Sequence, residues 1–345
     1  ALGGILRASP GWGKCLRLGT QVLTHDGRLV AVEDLKTGDF LMGPDSLPRT
    51  VLSTTRGRGP LYEITPVIGR PWVCNDAHIL TLVHSVTNEV QDIALQDWLA
   101  LTPAKQRHLK QFSPSNGVEF PAATSLPLDP YFVGVWFGDG TKSLKGVAIT
   151  KPDPEIEALC REVATNYGLT VRIDGTERGG CPTYHLTSGV NGRPNLLLDL
   201  LRNTVGDLVR LPHAYLTASR ADRLQFLAGL LDTDGFHNNG CYEITQKHEA
   251  WAEDIAFLAR SLGIRATVKP KVVKGATYWM IKLAGDFEHM PMRIPRKQPR
   301  KRLQKKVATR TGFTAKPIGD GEYAGFTLDG DGRFLLGDFT VTHNT

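Results

Sequence analysis

Cysteine is scarce in this sequence, and long apolar runs are missing from it. Five cysteines are scattered over 345 residues without a C-x-x-C spacing. This pattern argues against a disulfide framework or a zinc site and favours a reducing, cytoplasmic compartment. No stretch of 18 apolar residues exists, so the sequence predicts neither a transmembrane helix nor a membrane partner. Residues 1–14 lack an apolar core of signal-peptide length, which argues against secretion.

Charge and composition place few limits on the partner. Hydrophobic residues make up 41% and charged residues 22% of the chain, values that allow two or three globular domains with buried cores. The net charge of +6 favours an anionic partner. The segment Arg293 to Lys306 is basic and contains no acidic residue. It is interpreted either as a solvated linker or as a segment that contacts phosphates.

The pattern of predicted elements differs between the ends and the middle of the chain. Residues 16–90 and 318–342 consist of short β-branched or alternating runs separated by Gly and Asp turns, which predict strands. Residues 125–300 mix longer helical patterns with strands. A β region at both ends around an α+β middle predicts that one domain is inserted into another.

The middle of the chain is internally repeated. FVGVWFGDG at 132–140 is matched by LAGLLDTDG at 227–235, and Ile-Thr-Lys at 149–151 is matched by Ile-Thr-Gln at 244–246. Val-Arg-Leu-Pro at 209–212 is echoed by Met-Arg-Ile-Pro at 292–295. These landmarks occur in the same order, so we predict two copies of one α+β unit related by a pseudo-twofold axis.

Each copy begins with a short apolar helix that ends in Asp-Gly. Small residues stand one turn apart, at Gly134 and Gly138 and at Gly229 and Thr233, a spacing that lets two helix backbones approach closely. If these helices pack side by side, Asp139 and Asp234 come together at one end. Two close carboxylates repel unless they share protons or bind cations. Divalent metals there could activate water for phosphodiester hydrolysis.

These two segments resemble the LAGLIDADG motif of homing endonucleases, the second copy nearly letter for letter. The resemblance covers about residues 125–305 and implies a monomer that binds double-stranded DNA and cuts it with Mg²⁺. By family analogy, Asp139 and Asp234 hold the metals. Gln246 resembles a water-organising residue of the family, and Lys151 occupies the matching position in the first copy.

One feature of the family is absent from the sequence. Many members carry a lysine three residues before the proline that follows each copy, and these positions are Val209 and Met292 here. The neighbouring Arg210 and Arg293 are candidate substitutes, although a planar guanidinium is not equivalent to an ammonium group. The alternative interpretation is therefore a degenerate endonuclease that still binds DNA.

Both ends of the chain resemble the splice junctions of self-splicing inteins. Cys15 begins a turn-and-strand segment similar to the first intein block, and Asn75 with His78 resembles the second. His343, Asn344 and Thr345 resemble the C-terminal junction. A further block, Tyr323 to Leu328, has Gly325 where many inteins place Asp or Cys. The boundaries implied are an N-extein at 1–14, splicing halves at 15–124 and 306–344, an endonuclease at 125–305 and a C-extein beginning at 345.

The resemblance implies a fold and a reaction. The fold is a mainly β splicing domain of the Hedgehog/intein type, formed by both chain ends, with the α+β endonuclease inserted. Cys15 attacks the preceding carbonyl, assisted by Asn75 and His78, and Thr345 then takes over the acyl group. Asn344 cyclises with His343 as proton donor, and the exteins are joined without a cofactor. Thiols suit this role because they are strong nucleophiles near neutral pH.

The predicted exteins suggest an interrupted host protein. Joining Ala8 to Lys14 with Thr345 completes an A-x-x-G-x-G-K-T sequence, which fits the Walker A loop of helicase-like ATPases. A P-loop ATPase as the function of this chain is rejected, because the loop is split. The remaining alternative is a DNA- or RNA-binding helper built on the LAGLIDADG scaffold, and Cys15 and His343-Asn344 argue against it.

Overall fold

The computed structural model describes residues 13–121, 125–175, 180–190, 192–300, 304 and 306–344. The predicted C-extein residue Thr345, most of the predicted N-extein and part of the Arg293–Lys306 segment lie outside these ranges. The chain forms two compact units. Unit 1 combines the described residues up to Pro121 with those from Val307 onward, and unit 2 contains the described residues between them.

Unit 1 is built mainly of strands contributed by both parts of the chain. Its N-terminal strands and helices are β1 (Cys15–Arg17), β2 (Gln21–Leu23), β3 (Leu29–Ala31), β4 (Phe40–Met42), β5 (Pro48–Pro66), β6 (Trp72–Asn75), β7 (Ile79–His84), β8 (Val90–Ala94), α1 (Leu95–Ala100), α2 (Pro103–His108) and β9 (Leu109–Phe112). Its C-terminal strands are β17 (Arg310–Thr311), β18 (Phe313–Leu328), β19 (Arg333–Leu335) and β20 (Val341–His343).

The two parts of unit 1 are joined by strand pairing. The long strands β5 and β18 pair antiparallel from Phe313 opposite Pro66 to Leu328 opposite Val51. β1 is inserted between β18 and β6, and β20 lies between β19 and β7. Apolar side chains from both parts form one buried core. Each part alone would expose this core and the unpaired edges of its strands, so the two parts depend on each other.

The last strand begins later than its sequence pattern suggests. The run at 339–341 predicts a strand, but β20 covers 341–343. Phe339 has a left-handed φ of 69° and its N–H donates to the carbonyl of Leu336 at 2.8 Å. A tight turn therefore ends at Thr340, and this turn moves the strand to the residues that carry the predicted C-terminal junction.

Unit 2 is an α+β unit. Its elements are α3 (Pro130–Asp139), β10 (Val147–Thr150), α4 (Pro154–Asn166), β11 (Thr170–Asp174), β12 (Thr183–Thr187), α5 (Leu196–Val205), α6 (His213–Leu216), α7 (Arg220–Asp234), β13 (Phe236–Asn238), β14 (Cys241–Gln246), α8 (Glu249–Ser261), β15 (Arg265–Val273) and β16 (Ala276–Ala284). A short 3-10 helix follows at Pro295–Lys297.

The predicted repeat is present in the fold of unit 2. The first sheet has the order β10-β12-β11, and the second has the order β13-β14-β16-β15. Apart from the extra β13, corresponding strands occupy corresponding places. In each copy the chain order, again apart from β13, is a helix, a strand, a second helix and two further strands. The prediction of two equivalent α+β copies is therefore confirmed.

Helices α3 and α7 pack at backbone distance. A Cβ built on Gly134 would lie 2.3 Å from the carbonyl oxygen of Phe226, and one on Gly229 would lie 2.4 Å from that of Tyr131. These contacts are shorter than any real Cβ contact, so both positions require glycine. The predicted close approach of the two helices is confirmed, and it brings their C-terminal ends together.

The predicted fold class, a mainly β domain formed by both chain ends with an inserted α+β domain, is confirmed. Within the described residues, no helix combines the length and apolar character that crossing a bilayer requires.

Candidate active sites

The first site lies where β1 passes β6. The antiparallel register places Leu16 opposite Cys74, so Asn75 at the end of β6 lies beside Cys15. The Cys15 N–H donates to Asn75 Oδ1 at 2.9 Å, and Asn75 Nδ2 donates to the Gly13 carbonyl at 3.0 Å. Asn75 thus holds the backbone on both sides of the Lys14 carbonyl.

Burial keeps the Cys15 thiol protonated. The residue is fully buried, and burial raises the pKa of its thiol to about 12. Cys15 Sγ donates to the Gly13 carbonyl at 3.0 Å. The thiol must therefore lose its proton before it can act as a nucleophile.

Gly325 lies against the same bond. β18 pairs with β1 so that Gly325 is opposite Cys15. A Cβ at Gly325 would lie 2.6 Å from Cys15 Sγ and 2.7 Å from the Lys14 carbonyl oxygen. Glycine at this block position therefore has a packing reason, which the sequence alone did not indicate.

His78 lies between the two predicted junctions. It is completely buried, and its Nε2 is 2.7 Å from Thr342 Oγ1 on β20. Burial, followed by the charges of His343 and Lys14, lowers the pKa of His78 to about 3. At neutral pH this imidazole is therefore uncharged.

The predicted C-terminal junction is also buried. His343 is 8% exposed and Asn344 is fully buried. The Asn344 N–H donates to the Gly332 carbonyl at 2.8 Å, yet neither Oδ1 nor Nδ2 of its side chain has a hydrogen-bond partner among the described residues. Burying such a group without partners costs about 1–3 kcal/mol of folding free energy. A buried polar group without partners is typical of a functional position. Thr345 lies outside the described residues.

Sequence reasoning missed a charged cluster beside His343. Asp92 on β8 accepts from Thr81 Oγ1 at 2.7 Å and from Arg333 Nη2 at 2.7 Å. Arg333 on β19 is the cross-strand neighbour of His343. Asp92 and Arg333 are 241 positions apart, so no local pattern could have indicated this pair.

The second site lies in unit 2 at the ends of α3 and α7. Burial and the nearby charge of Asp139 raise the pKa of Asp234, against the effect of a hydrogen bond from Gln246. Gln246 Nε2 donates to Asp234 Oδ2 at 2.8 Å, and Lys151 Nζ lies 2.6 Å from Asp139 Oδ2. The structure thus brings together all four residues that the sequence assigned to this site.

Two further lysines, which the sequence analysis did not identify, lie at the helix ends. Lys142 Nζ donates to the carbonyls of Trp136 at 2.6 Å and Gly140 at 2.8 Å. Burial lowers the pKa of Lys142 to about 8, although Asp234 and Asp139 oppose this effect. Lys297 Nζ donates to the carbonyl of Gly235. Each ammonium group therefore binds the residue that follows a motif aspartate, at the negative end of a helix.

The position of Lys297 is determined by tertiary contacts. Tyr242 on β14 donates to the Lys297 carbonyl at 2.7 Å. Upstream, the Arg293 N–H donates to the buried Asp232 Oδ2 at 2.7 Å, and Arg296 binds Asp153 through two hydrogen bonds of 2.6 and 2.7 Å. The segment after β16 is thereby fixed along α7.

The two candidate arginines have other partners. Arg210 Nε lies 2.9 Å from Oδ2 of the buried Asp254. The guanidinium of Arg293 lies over the ring of Tyr131 at 3.9 Å. The expectation that these arginines replace the missing lysines is not supported, because both guanidinium groups bind elsewhere. The cations near the motif aspartates belong to Lys142, Lys151 and Lys297.

The donor set at the second site suits a hard divalent cation. Among the described residues, no cluster of three or more His, Cys, Asp or Glu side chains comes together. A cation would therefore depend on Asp139 and Asp234, with further oxygen ligands from backbone, water or phosphate. Mg²⁺ is commonly bound by one or two carboxylates together with substrate phosphates, so the residues present fit it.

Comparison with known proteins finds a matching family in each of the two units. Residues 15–97 match the family of Hom_end-associated Hint domains, and residues 211–282 match the homing endonuclease family. A replicative DNA helicase DnaB from Mycobacterium intracellulare is 30% identical over 302 residues, which are 79% of this chain and 46% of the helicase. The catalytic subunit of a V-type proton ATPase from Candida tropicalis is 38% identical over 50 residues, 14% of this chain and 5% of that protein.

The chain therefore combines a segment similar to Hint domains associated with homing endonucleases and a segment similar to homing endonucleases, which is the organisation of an intein with an inserted endonuclease. It spans less than half of the length of these curated relatives. Among solved structures, I-DmoI in complex with DNA and Ca is 18% identical, with a TM-score of 0.34, over 46% of this chain and 83% of that chain. The gp41-1 intein is 20% identical, with a TM-score of 0.20, over 24% and 76%.

Proposed function

We propose that unit 1 excises the intein by autocatalysis and joins Lys14 to Thr345. The main support is that Asn75 Oδ1 accepts the N–H of the bond to be broken. In addition, the side-chain amide of Asn344 lies buried without a hydrogen-bond partner among the described residues. Both junction segments belong to one small unit, so each step is intramolecular. Well-oriented intramolecular reactions reach effective molarities of roughly 10⁵ M or more.

The N-terminal step follows from the contacts of Cys15. The Sγ attacks the Lys14 carbonyl carbon, and the bond to the Cys15 nitrogen breaks, so that an amide becomes a thioester. Asn75 Oδ1 already accepts the N–H of that nitrogen. We infer that His78 assists the transfer of the thiol proton to the departing nitrogen.

The C-terminal steps then transfer and release the acyl group. The Thr345 hydroxyl attacks the thioester carbon, and Cys15 Sγ leaves with the hydroxyl proton. Asn344 Nδ2 attacks its own backbone carbonyl carbon, and the bond to the Thr345 nitrogen breaks. His343 donates a proton to that nitrogen, and an acyl shift from oxygen to nitrogen completes the new peptide bond. A reducing cytoplasm suits this chemistry because Cys15 must remain a thiol.

Mass analysis of the chain between longer exteins tests the splicing proposal. The parent is expected to yield ligated exteins and free intein. Asn344→Ala is expected to block C-terminal cleavage but to leave thioester formation, so that dithiothreitol still releases the N-extein. Cys15→Ala is expected to abolish ligation. Ligated exteins from Cys15→Ala would contradict the mechanism.

We propose a second activity, the Mg²⁺-dependent cleavage of double-stranded DNA by unit 2. It is favoured by Asp139 and Asp234, which lie together at two adjoining helix ends, each beside a basic group. Asp139 and Asp234 would hold the cations, which when bound supply charge stabilisation for the phosphodiester and an activated water. The match of residues 211–282 to the homing endonuclease family also supports this activity.

Three lysines support cleavage rather than a degenerate site. Lys151 neutralises Asp139, and Lys142 and Lys297 direct ammonium groups toward the carbonyls next to the two aspartates. We infer that the latter two supply the positive charge for which Val209 and Met292 have no side-chain group. Gln246 orients Asp234 and is placed to hold a water.

Incubation with a plasmid tests this activity. The substrate carries the uninterrupted coding sequence for Gly-Trp-Gly-Lys-Thr, since family members cut the empty insertion site. Linear product is expected with Mg²⁺ or Mn²⁺, and it is expected to be lost in Asp139→Asn and Asp234→Asn, while binding persists and weakens with salt. A gel shift without cleavage would indicate a degenerate nuclease, and neither shift nor cleavage at low salt would overturn the DNA assignment.

The host protein is proposed to be a helicase-like ATPase. Residues 1–14 would be N-extein, 15–124 and 306–344 the splicing halves, and 125–305 the endonuclease. The similarity to a replicative helicase over 79% of this chain supports a host of this class. Genomic sequence that continues the reading frame after Thr345 into ATPase motifs would support the proposal, and an unrelated frame would contradict it.

A further inference from the structure

Four side chains at the C-terminal junction share one face of a sheet. Arg333 is opposite His343, His343 is opposite Ile79, and Thr81 is opposite Asp92. Opposed residues project to the same face, as do residues two apart on one strand. Arg333, His343, Thr81 and Asp92 therefore lie side by side across β19, β20, β7 and β8.

Hydrogen bonds fix the Asp92 carboxylate on this face. Thr81 Oγ1 donates to Oδ1 at 2.7 Å, and the Arg333 guanidinium donates to Oδ2 through Nε at 3.1 Å and Nη2 at 2.7 Å. Both charged side chains are 27% exposed. Although burial opposes it, these hydrogen bonds hold the pKa of Asp92 below its usual value. Asp92 is therefore a rigid negative charge beside His343 at neutral pH.

We propose that Asp92, oriented by Arg333 and Thr81, is a positioning residue that favours the proton-donating form of His343 during cyclisation of Asn344. The inference rests on the proposed splicing function and deepens it. Asp92 touches no reacting atom; it acts through the imidazole beside it.

The cyclisation of Asn344 requires a protonated His343 imidazole at a position where burial disfavours its charge. Asn344 Nδ2 loses a proton as it bonds to the backbone carbonyl carbon, and the departing Thr345 nitrogen gains one. His343 delivers that proton, so its protonated form is required, and the proton that Nδ2 loses returns the imidazole to this form. Burial is the main cause that lowers the pKa of His343. Among its charged neighbours, Asp92 has the largest effect, and it raises this pKa.

Other charged groups also face His343. Lys14 and Arg333 lower its pKa, and Asp331 raises it. His78 is fully buried directly before β7, and the charge of His343 lowers its pKa. Asp92 thus offsets the cations of Lys14 and Arg333, and its removal should leave Asp331 as the remaining carboxylate that opposes them.

The pH profile of C-terminal cleavage tests the proposal. In the full chain with Cys15→Ala, which isolates this step, the rate should be high at low pH and fall as His343 loses its proton. Asp92→Asn should move this fall to lower pH and slow cleavage at pH 7.5 by up to about tenfold for a shift of one pKa unit. Arg333→Gln removes a cation that lowers the His343 pKa, while Thr81 still holds Asp92, and this variant should move the fall to higher pH.

A direct titration provides a readout independent of rate. In the Cys15→Ala, Asn344→Ala chain, the His343 pKa followed by NMR should fall in Asp92→Asn and be restored in Asp92→Glu. Asp26→Asn is the matched control, because Asp26 is likewise bound by a threonine and an arginine, Thr24 and Arg28. It should leave the His343 pKa and the cleavage profile unchanged.

The outcomes separate the inference from the splicing proposal. Thiol-induced N-terminal cleavage in the Asn344→Ala background shows that each variant is folded. If Asp92→Asn is folded but slows C-terminal cleavage equally at every pH, or leaves the His343 pKa unchanged, the inference is wrong. If Asp92→Asn does not fold, Arg333→Gln provides the test. The proposal is then contradicted if the cleavage rate of Arg333→Gln falls at the same pH as that of the parent. Absence of C-terminal cleavage in the parent would instead contradict the splicing proposal.

Discussion

Gly325 lies against the bond that the proposed reaction breaks. Because a Cβ there would meet Cys15 Sγ and the Lys14 carbonyl oxygen at 2.6 and 2.7 Å, Gly325→Ala should displace the junction. Displacement of about 1 Å from productive geometry costs about a hundredfold in rate. We expect dithiothreitol-induced cleavage to fall by about that factor.

Gly59→Ala is the control for this substitution. Gly59 lies on β5 in the same sheet, and a Cβ there would be in ordinary contact with Tyr323 at 3.5 Å. Its cleavage rate should match the parent. Unchanged cleavage kinetics in Gly325→Ala would show that the junction tolerates a methyl group and that glycine is not required there.

Buried histidine makes the stability of unit 1 depend on pH. The pKa of His78 is about 3 in the folded chain, against an ordinary 6.5. Below pH 6.5 the unfolded chain binds a proton that the folded chain does not. Stability is therefore fully present above pH 6.5 and is lost as the pH falls toward 3. The free energy of unfolding should decrease by about 2 kcal/mol between pH 7 and pH 5 through His78 alone.

Hydrogen exchange of β7 amides at the two pH values measures this effect. The decrease should be about 2 kcal/mol smaller in His78→Gln than in the parent. His108→Gln, at an exposed position of the same unit, should show the parental decrease. Equal decreases in the parent and His78→Gln would mean that His78 is already charged at pH 5.

At the scale of elements, the α3–α7 contact is the feature most sensitive to substitution. Gly229→Ala would place a Cβ 2.4 Å from the Tyr131 carbonyl oxygen and 2.7 Å from the Val135 nitrogen. Backbone atoms cannot yield as a flexible side chain can, so the helices must separate. We expect a loss of about 3 kcal/mol in the stability of unit 2, measured by hydrogen exchange of α7 amides.

Gly146→Ala provides the comparison within unit 2. No atom lies within 4 Å of a Cβ at Gly146, so its substitution should leave α7 protection unchanged. DNA cleavage should decrease in Gly229→Ala only, because Asp139 and Asp234 are carried by the displaced helices. Parental protection in Gly229→Ala would mean that the helices can adjust at little cost.

At the scale of the whole molecule, strand pairing joins the two parts of unit 1 at the point where unit 2 is inserted. β9 pairs with β17 through Phe112 opposite Arg310, and the Ser113 N–H donates to the Thr309 carbonyl at 3.0 Å. The chain therefore leaves and re-enters unit 1 at adjacent points. Replacing residues 122–306 with a short Gly/Ser linker should preserve thiol-induced cleavage within about tenfold, because loop-closure entropy changes slowly with length.

The same deletion with Cys15→Ala is the control and should show no thiol-induced cleavage. Both chains should be compared by circular dichroism for their β content. If the deleted chain is unfolded while the full chain splices, unit 2 contributes to the stability of unit 1, contrary to this expectation.

The sequence by itself determined the parts whose chemistry is local. The Asp-Gly helix ends, the repeat, the nucleophilic Cys15 and the adjacent His343 and Asn344 are readable because each motif is contiguous and its spacing follows from helix or strand geometry. The insertion of an α+β domain into a β domain was predicted from periodicity for the same reason, and the fold confirms it.

Only the tertiary structure decided which distant groups meet these motifs. Lys297 reaches the residue after Asp234 across 62 positions, because Tyr242 holds its carbonyl and Asp232 holds the backbone at Arg293. Asp92 reaches Arg333 across 241 positions, because four strands align in one register. Hydrogen bonds and steric contacts act through space over a few ångströms, so their partners are set by packing and leave no local pattern in the sequence.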